Sequence, residues 1–199
     1  MLEEHPMIYY DGQFFDRNGV MDVDKVKNIV TEKIKNYVEK GLSKQVENLI
    51  KAMELLYYKE KINIDINTVK FGNGDYSLLD GSFSLSDEIS SNRLAVEYNP
   101  DAKKPEKWIA FLSELLHDED IATLQEYIGY CMIPTNKAQA MLLLIGEGGE
   151  GKSIIGQVME VMFGDSASKL KISTLTGNRF GLSILENRLL MIEDDMITF

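Results

Sequence analysis

The spacing of apolar residues changes several times along the chain, and each spacing predicts a different element. Short apolar runs on either side of Asp11-Gly12 predict a hairpin, because this pair accepts the positive φ angles of a tight turn. Apolar residues then recur every three or four positions, which predicts two helices. Asp22 or Asp24 is expected to cap the first helix and Ser43 the second. The amino-terminal region is therefore expected to combine a small hairpin with two packing helices.

A strand-like pattern follows, with turn signals at Asn73-Gly74 and Asp80-Gly81. This pattern predicts a β-meander. Helical spacing resumes after Pro105 and predicts two more helices. A mixed α+β region thus occupies the first two thirds of the chain.

The strongest chemical signal is a glycine-rich loop that matches G-x-x-x-x-G-K-[ST]. The apolar run before it, residues 140–145, predicts a buried strand, and the helical spacing after it predicts a helix that stops at Gly164. Glycine lets backbone N–H groups approach phosphate oxygens, a lysine neutralises the β- and γ-phosphates, and a serine hydroxyl ligates Mg²⁺. A glycine-rich turn without a nucleotide is the alternative, and the flanking strand and helix patterns argue against it. The expected Mg-ATP site comprises Gly146, Glu147, Gly148, Gly149, Glu150, Gly151, Lys152 and Ser153.

A second apolar run, residues 188–192, ends in Glu193-Asp194-Asp195. If this strand lies parallel to the phosphate-loop strand, its acids reach the same crevice, where one carboxylate can hold Mg²⁺ and another can polarise water. An acidic turn at a strand end often has no function. Together with the upstream loop, we interpret these acids as a Walker B motif.

Composition adds limits to this picture. The 199 residues carry a formal net charge of -11, which is unusual for a nucleic-acid-binding protein. Residues 25–70, the basic segment, nevertheless contain ten lysines and six acidic residues. Seven of its lysines are candidates for contact with DNA phosphates, although a solvated helix face is the favoured interpretation. They are Lys25, Lys27, Lys33, Lys35, Lys40, Lys44 and Lys51.

Other residue types exclude several classes of protein. The single cysteine, Cys131, rules out an internal disulfide, and its apolar neighbours predict a buried structural thiol. His5 and His117 are too isolated to suggest a metal site. The longest apolar runs are too short to span a membrane, so we expect a soluble, cytoplasmic protein.

The order of these motifs resembles that of superfamily three helicases, in the branch of phage, plasmid and poxvirus-type primase-helicases. The landmarks are residues 69–74, 96–100, 108–112 and 124–130 before the loop, and residues 180–189 before the acids. The resemblance covers nearly the whole chain. It implies an α/β protein, with a mixed α+β pre-motor domain over residues 1–135. A truncated P-loop NTPase core with an AAA+-like parallel sheet would occupy residues 136–199.

The resemblance also implies a function, an ATP-hydrolysing motor segment of a replicative DNA helicase from a phage, plasmid or other mobile element. Lys152, Glu193 and Asp194 would be catalytic, and Ser153 with Glu193 would hold Mg²⁺. The division of roles between the two acids, and a role for Asp195, stay open. Glu150 departs from the branch, where many members have Asn, and a carboxylate there should weaken phosphate binding unless it points outward or meets a cation.

The implied partners are Mg-ATP, single-stranded or forked DNA and further copies of the chain in a ring, by resemblance a hexamer. In that superfamily the chain continues into a sensor strand, pore elements and an arginine finger, so we expect a segment with little activity of its own. The acidic strand is then expected to be displaced, poorly ordered or paired with a non-native partner, whereas residues 8–130 pack normally. A P-loop kinase and a nucleotide-binding scaffold without turnover are the alternatives.

Overall fold

A computed structural model describes residues 6–62, 64–177 and 185–194 of the chain. These residues form a mixed α/β structure with six α-helices, two three-stranded antiparallel sheets and one parallel strand pair. Their contacts divide the chain into two compact units, residues 1–64 with 87–91 and residues 65–86 with 92–199. The domain boundary at 135/136, drawn from the resemblance, stays a prediction.

The first unit opens with the predicted hairpin. Strands β1 (Ile8–Tyr10) and β2 (Gln13–Asp16) pair in antiparallel register, and β3 (Gly19–Val20) adds a third strand that was not predicted. Asp11 and Gly12 adopt φ angles of 49° and 78°, which confirms the left-handed turn.

Two helices pack against each other in the same unit, α1 (Val23–Ile34) and α2 (Leu42–Leu56). Asp22 caps α1 by accepting a hydrogen bond from the Asp24 backbone N–H at 2.7 Å. The expected cap of α2 is wrong, because Gly41 precedes the helix with φ 71° and Ser43 already lies in its first turn. A glycine in the left-handed conformation turns the chain into α2 without a side-chain cap.

The second unit begins with the predicted meander, β4 (Thr68–Phe71), β5 (Gly74–Ser77) and β6 (Phe83–Leu85). Helices α3 (Glu106–Leu115) and α4 (Asp118–Cys131) follow, as the sequence predicts. Their apolar faces share one core with the residues after the phosphate loop. The buried members of that core are Val69, Leu94, Leu112, Leu124, Cys131, Ile155, Met159, Phe163 and Leu190.

Two of the sequence landmarks meet inside this unit. The Asn73 side chain donates to the Tyr98 carbonyl oxygen at 3.0 Å and accepts from the Tyr98 N–H at 2.9 Å. The Tyr98 ring lies against the rings of Phe71, Tyr76 and Phe83, with centroids 4.8–5.4 Å apart. Asn73 therefore joins the β4–β5 turn to the segment that carries Tyr98.

The elements around the phosphate loop follow in quick succession. Helix α5 (Lys152–Phe163) ends at Gly164, as predicted, and a 3-10 turn leads into β7 (Ala167–Lys169). After α6 (Ile172–Gly177), the chain returns as β8 (Leu190–Ile192), the strand that carries the acids. Strands β7 and β8 are parallel.

The predicted strand over residues 140–145 is wrong. The segment has the period-two pattern of a strand, since Leu142 and Leu144 pack on the core while Met141, Leu143 and Ile145 are 68%, 51% and 91% exposed. A strand also needs a neighbour for its backbone groups, and among the described residues β8 pairs with β7 instead. The expectation that the acidic strand lies parallel to residues 140–145 is therefore not met, although β8 does lie in a parallel pair.

Among the described residues, no helix combines the length and the apolar composition that crossing a bilayer requires.

Candidate phosphate and magnesium site

The phosphate loop, residues 146–153, leads directly into the amino terminus of α5. Gly149 and Gly151 adopt φ angles of 88° and 102°, which side chains rarely tolerate. A Cβ atom at Gly151 would also lie 3.1 Å from the ring of Phe111. No side chain caps the start of α5, where the Ile154 N–H donates to the Gly151 carbonyl oxygen at 2.9 Å. The uncapped amino terminus of a helix is a typical position for an anion.

Lys152 already binds a carboxylate of the loop itself. Its ammonium group donates to the Glu150 Oε2 atom at 2.7 Å and to the Glu147 carbonyl oxygen at 2.6 Å. This pairing with Lys152 lowers the pKa of Glu150 below its usual range. The Glu150 carboxylate thus meets a cation, which is one of the two conditions that the sequence set for a carboxylate at this position. That cation is Lys152, the lysine expected to bind phosphate.

The Glu150 carboxylate lies over the start of the loop. An added Cβ at Gly146 would fall 2.2 Å from the Glu150 Oε2 atom and 3.0 Å from the Lys152 ammonium. Glycine at position 146 therefore leaves the space in which a carboxylate, or an anion of similar chemistry, can reach Lys152.

Ser153 and Asp194 come together although 41 residues separate them in the sequence. The Ser153 hydroxyl donates to the Asp194 Oδ1 atom at 3.1 Å. Ser153 lies in the first turn of α5, and Asp194 follows the end of β8. The two motifs that the sequence singled out therefore share one site.

Glu193 faces a different element. Its Oε2 atom accepts a hydrogen bond from the Ile172 backbone N–H at 3.1 Å, at the start of α6. The resemblance implies Glu193 as a metal ligand and leaves the division of roles between the two acids open. In this arrangement Asp194 is the acid beside Ser153. Asp195 lies outside the described residues.

Lys169 completes the site and was not singled out from the sequence. Its ammonium nitrogen lies 3.2 Å from the Glu160 Oε1 atom and 3.6 Å from the Asp194 Oδ2 atom. Pairing with Glu160, reinforced by the charge of Asp194, raises the pKa of Lys169. A lone lysine on a short strand carries no sequence signal, so only the tertiary contact identifies it.

The side chains present fit Mg²⁺ and a nucleotide phosphate. A serine hydroxyl and an aspartate carboxylate are the hard oxygen ligands that Mg²⁺ prefers, and it normally combines few protein ligands with phosphate oxygens and water. The loop supplies a lysine, glycines in the left-handed region and an uncapped helix terminus. These groups are also the donors that phosphate oxygens require.

Several lysines of the basic segment have acidic partners. Lys25 pairs with Asp16 at 2.7 Å, Lys27 with Asp24 at 3.5 Å and Lys35 with Glu32 at 2.5 Å. Lys40, Lys44 and Lys51 are exposed. The pairing is typical of a solvated helix face, and the DNA role of these lysines stays a prediction.

Cys131 lies in the core of the second unit. It is 7% exposed, and burial raises the pKa of its thiol. This confirms the expected buried thiol.

A scan against models of protein families finds no match for this chain, and a search of curated proteins also finds none.

Proposed function

We propose that this chain binds Mg-ATP at the phosphate loop and serves as an ATP-hydrolysing motor segment of a replicative DNA helicase. The observation that carries the ATP site is the 3.1 Å hydrogen bond between Ser153 and Asp194. A glycine-rich turn or an acidic turn alone has many uses, but the meeting of a loop serine with a strand-end aspartate is the arrangement that a Mg-nucleotide site requires.

Each residue has a role that follows from its position. Lys152, once released from Glu150, neutralises phosphate charge, and the backbone N–H groups at the start of α5 bind phosphate oxygens. Ser153 and Asp194 would hold Mg²⁺. When bound, the metal neutralises charge on the phosphate oxygens. Glu193 would need to leave Ile172 before it could orient an attacking water.

The DNA part of the proposal is supported by the resemblance to superfamily three helicases. It implies single-stranded or forked DNA as substrate, a P-loop NTPase core with an AAA+-like sheet, and a ring of identical subunits. It also implies a cytoplasmic site of action, where a phage or plasmid is replicated.

Calorimetry with the 199-residue chain tests the nucleotide site. ATP is titrated with Mg²⁺ and again with EDTA, for the parent, Ser153→Ala and Asp194→Asn. We expect Mg²⁺ to strengthen ATP binding to the parent. In both variants, most of this Mg²⁺-dependent gain in affinity should be lost. Ser43→Ala and Asp165→Asn are matched controls that remove the same groups at exposed positions. If both site variants keep the full Mg²⁺ effect, the proposed site is wrong.

Product analysis separates the motor from the alternatives. Phosphate release that single-stranded DNA stimulates supports a motor, whereas transfer of the γ-phosphate to a small acceptor supports a kinase. Binding without any turnover, including at high enzyme concentration with DNA, supports a nucleotide-dependent scaffold and contradicts hydrolysis.

A further inference from the structure

Four side chains form a continuous polar chain across the candidate site. The Ser153 hydroxyl contacts one oxygen of Asp194, and the Lys169 ammonium lies beside the other oxygen at 3.6 Å. Lys169 in turn pairs with Glu160 at 3.2 Å. Asp194 is thus approached at Oδ1 by Ser153 and at Oδ2 by Lys169.

Backbone structure fixes the positions of these four residues. Ser153 and Glu160 both belong to α5, two helical turns apart. Lys169 lies opposite Ile192 in the parallel register of β7 and β8, and the next residue, Leu170, donates its N–H to the Ile192 carbonyl oxygen at 3.0 Å. In this register, Lys169 lies opposite the residue that comes two positions before Asp194 in the chain.

Asp194 needs such an anchor because it is not enclosed. Its side chain is 38% exposed, and a carboxylate at a strand end can rotate toward solvent. One hydrogen bond to Ser153 restrains one oxygen only. Lys169 lies at the second oxygen and is itself held by Glu160 of α5. With both oxygens in contact, the whole carboxylate is restrained.

We propose that Lys169 is a positioning residue for Asp194, which it holds so that the opposite carboxylate oxygen faces Ser153, where Mg²⁺ would bind. This inference rests on the proposed Mg-ATP site. Lys169 contacts the Asp194 oxygen that Ser153 does not contact, so it supports the metal ligand without taking the place of the metal. The alternative is that the Lys169 ammonium takes the place of Mg²⁺ at Asp194 and so obstructs the binding of the metal.

The test measures ATP affinity by calorimetry, with Mg²⁺ and with EDTA, for the 199-residue chain and its variants. Removing a group that orients a metal ligand typically costs ten- to a hundredfold in metal affinity. Because Lys169 is half exposed, we expect Lys169→Met to weaken Mg²⁺-dependent ATP binding by about tenfold. Affinity in EDTA should not change, and Lys169→Arg should restore most of the loss. Lys171→Met is the matched control, an exposed lysine two residues away that should behave as the parent.

A double-mutant cycle establishes whether Lys169 acts through Asp194. In the Asp194→Asn background, Lys169→Met should cause no further loss of Mg²⁺-dependent affinity, because the group it positions is already gone. Glu160→Gln, which releases Lys169 from α5, should produce a smaller loss in the same direction. Circular dichroism confirms that each variant is folded before its affinity is compared.

The outcomes are distinct. Equal losses with Mg²⁺ and with EDTA, or additive losses in the cycle, would mean that Lys169 contacts the nucleotide directly and overturn the inference. Stronger Mg²⁺-dependent binding by Lys169→Met would show that the Lys169 ammonium takes the place of Mg²⁺ and would also overturn it. If the parent itself shows no Mg²⁺-dependent binding, the proposed function fails, and the positioning role fails with it.

Discussion

Replacing Asn73 with alanine should destabilise the second unit without touching the phosphate loop. The change removes both hydrogen bonds to the Tyr98 backbone, at 2.9 and 3.0 Å, and these join two sequence landmarks. It also loosens the position of the Tyr98 ring among Phe71, Tyr76 and Phe83.

The magnitude follows from those two bonds. A neutral hydrogen bond contributes about 1 kcal/mol net, and a buried partner left unpaired costs about 1–3 kcal/mol. Asn73 and Tyr98 are only partly buried, so water can reach some of the released groups. We therefore expect the free energy of unfolding to fall by about 2–3 kcal/mol, near the sum of two bonds and below the fully buried limit.

Urea denaturation followed by tryptophan fluorescence measures this loss. Trp108 is the only tryptophan of the chain, and its ring stacks on Phe111 with centroids 5.5 Å apart, so it reports on the second unit. Asn99→Ala is the matched control, because Asn99 is exposed and its side chain accepts a local hydrogen bond from the Asp101 N–H at 2.9 Å. Its free energy of unfolding should fall by no more than about 0.5 kcal/mol.

An Asn73→Ala midpoint equal to that of Asn99→Ala, at an unchanged urea dependence, would contradict this prediction. In that case the two landmarks would be held together by ring packing alone. Asn73→Asp sharpens the comparison, since it keeps an acceptor for the Tyr98 N–H but turns a carboxylate oxygen toward the Tyr98 carbonyl. It should be at least as destabilising as alanine.

The remaining predictions concern the loop and the basic segment. Lys152→Ala should weaken ATP binding by about tenfold or more in calorimetry while leaving the circular dichroism spectrum unchanged, because its partners are loop atoms and not the core. Glu150→Gln should strengthen ATP binding a few-fold, whereas Glu147→Gln, which leaves the Glu150 contact in place, should change it less; equal effects would exclude a specific competition for Lys152. The gain in ATP affinity of Glu150→Gln over the parent should persist at mildly acidic pH. Pairing with Lys152 holds the pKa of Glu150 below its usual range, so the carboxylate is protonated only when the pH falls through that lowered pKa. Lys33→Glu/Lys35→Glu should weaken single-stranded DNA binding and flatten its salt dependence if the basic segment contacts phosphates, and an unchanged salt slope would leave a solvated face.

Short-range chemistry made much of this structure predictable. The Asp11-Gly12 turn, the Asp22 cap and the end of α5 at Gly164 depend on the conformations that a few neighbouring residues allow. The pattern of the glycine-rich loop is recognisable for the same reason, since its glycines, lysine and serine all fall within residues 146–153. The Ser43 cap was wrong because a left-handed glycine one step earlier supplied another way into α2.

Pairing between distant segments is visible in the tertiary structure and not in the sequence. Residues 140–145 have the composition of a strand, but β8 pairs with β7, whose three residues give no recognisable pattern in the sequence. Apolar periodicity says which face of a segment is buried and not which backbone will lie beside it. The parallel partner of the acidic strand could therefore not be predicted from the sequence.

The same limit applies inside the candidate site. A loop with the pattern expected of a phosphate-binding loop and an acidic strand end are both recognisable in the sequence, because each motif is local. Which carboxylate lies beside Ser153 depends on how the chain leaves β8, since adjacent residues point in different directions: Glu193 reaches the Ile172 N–H and Asp194 reaches Ser153. The place of Lys169 depends in turn on the register of β7 with β8, a property of two strands that no single segment of sequence contains.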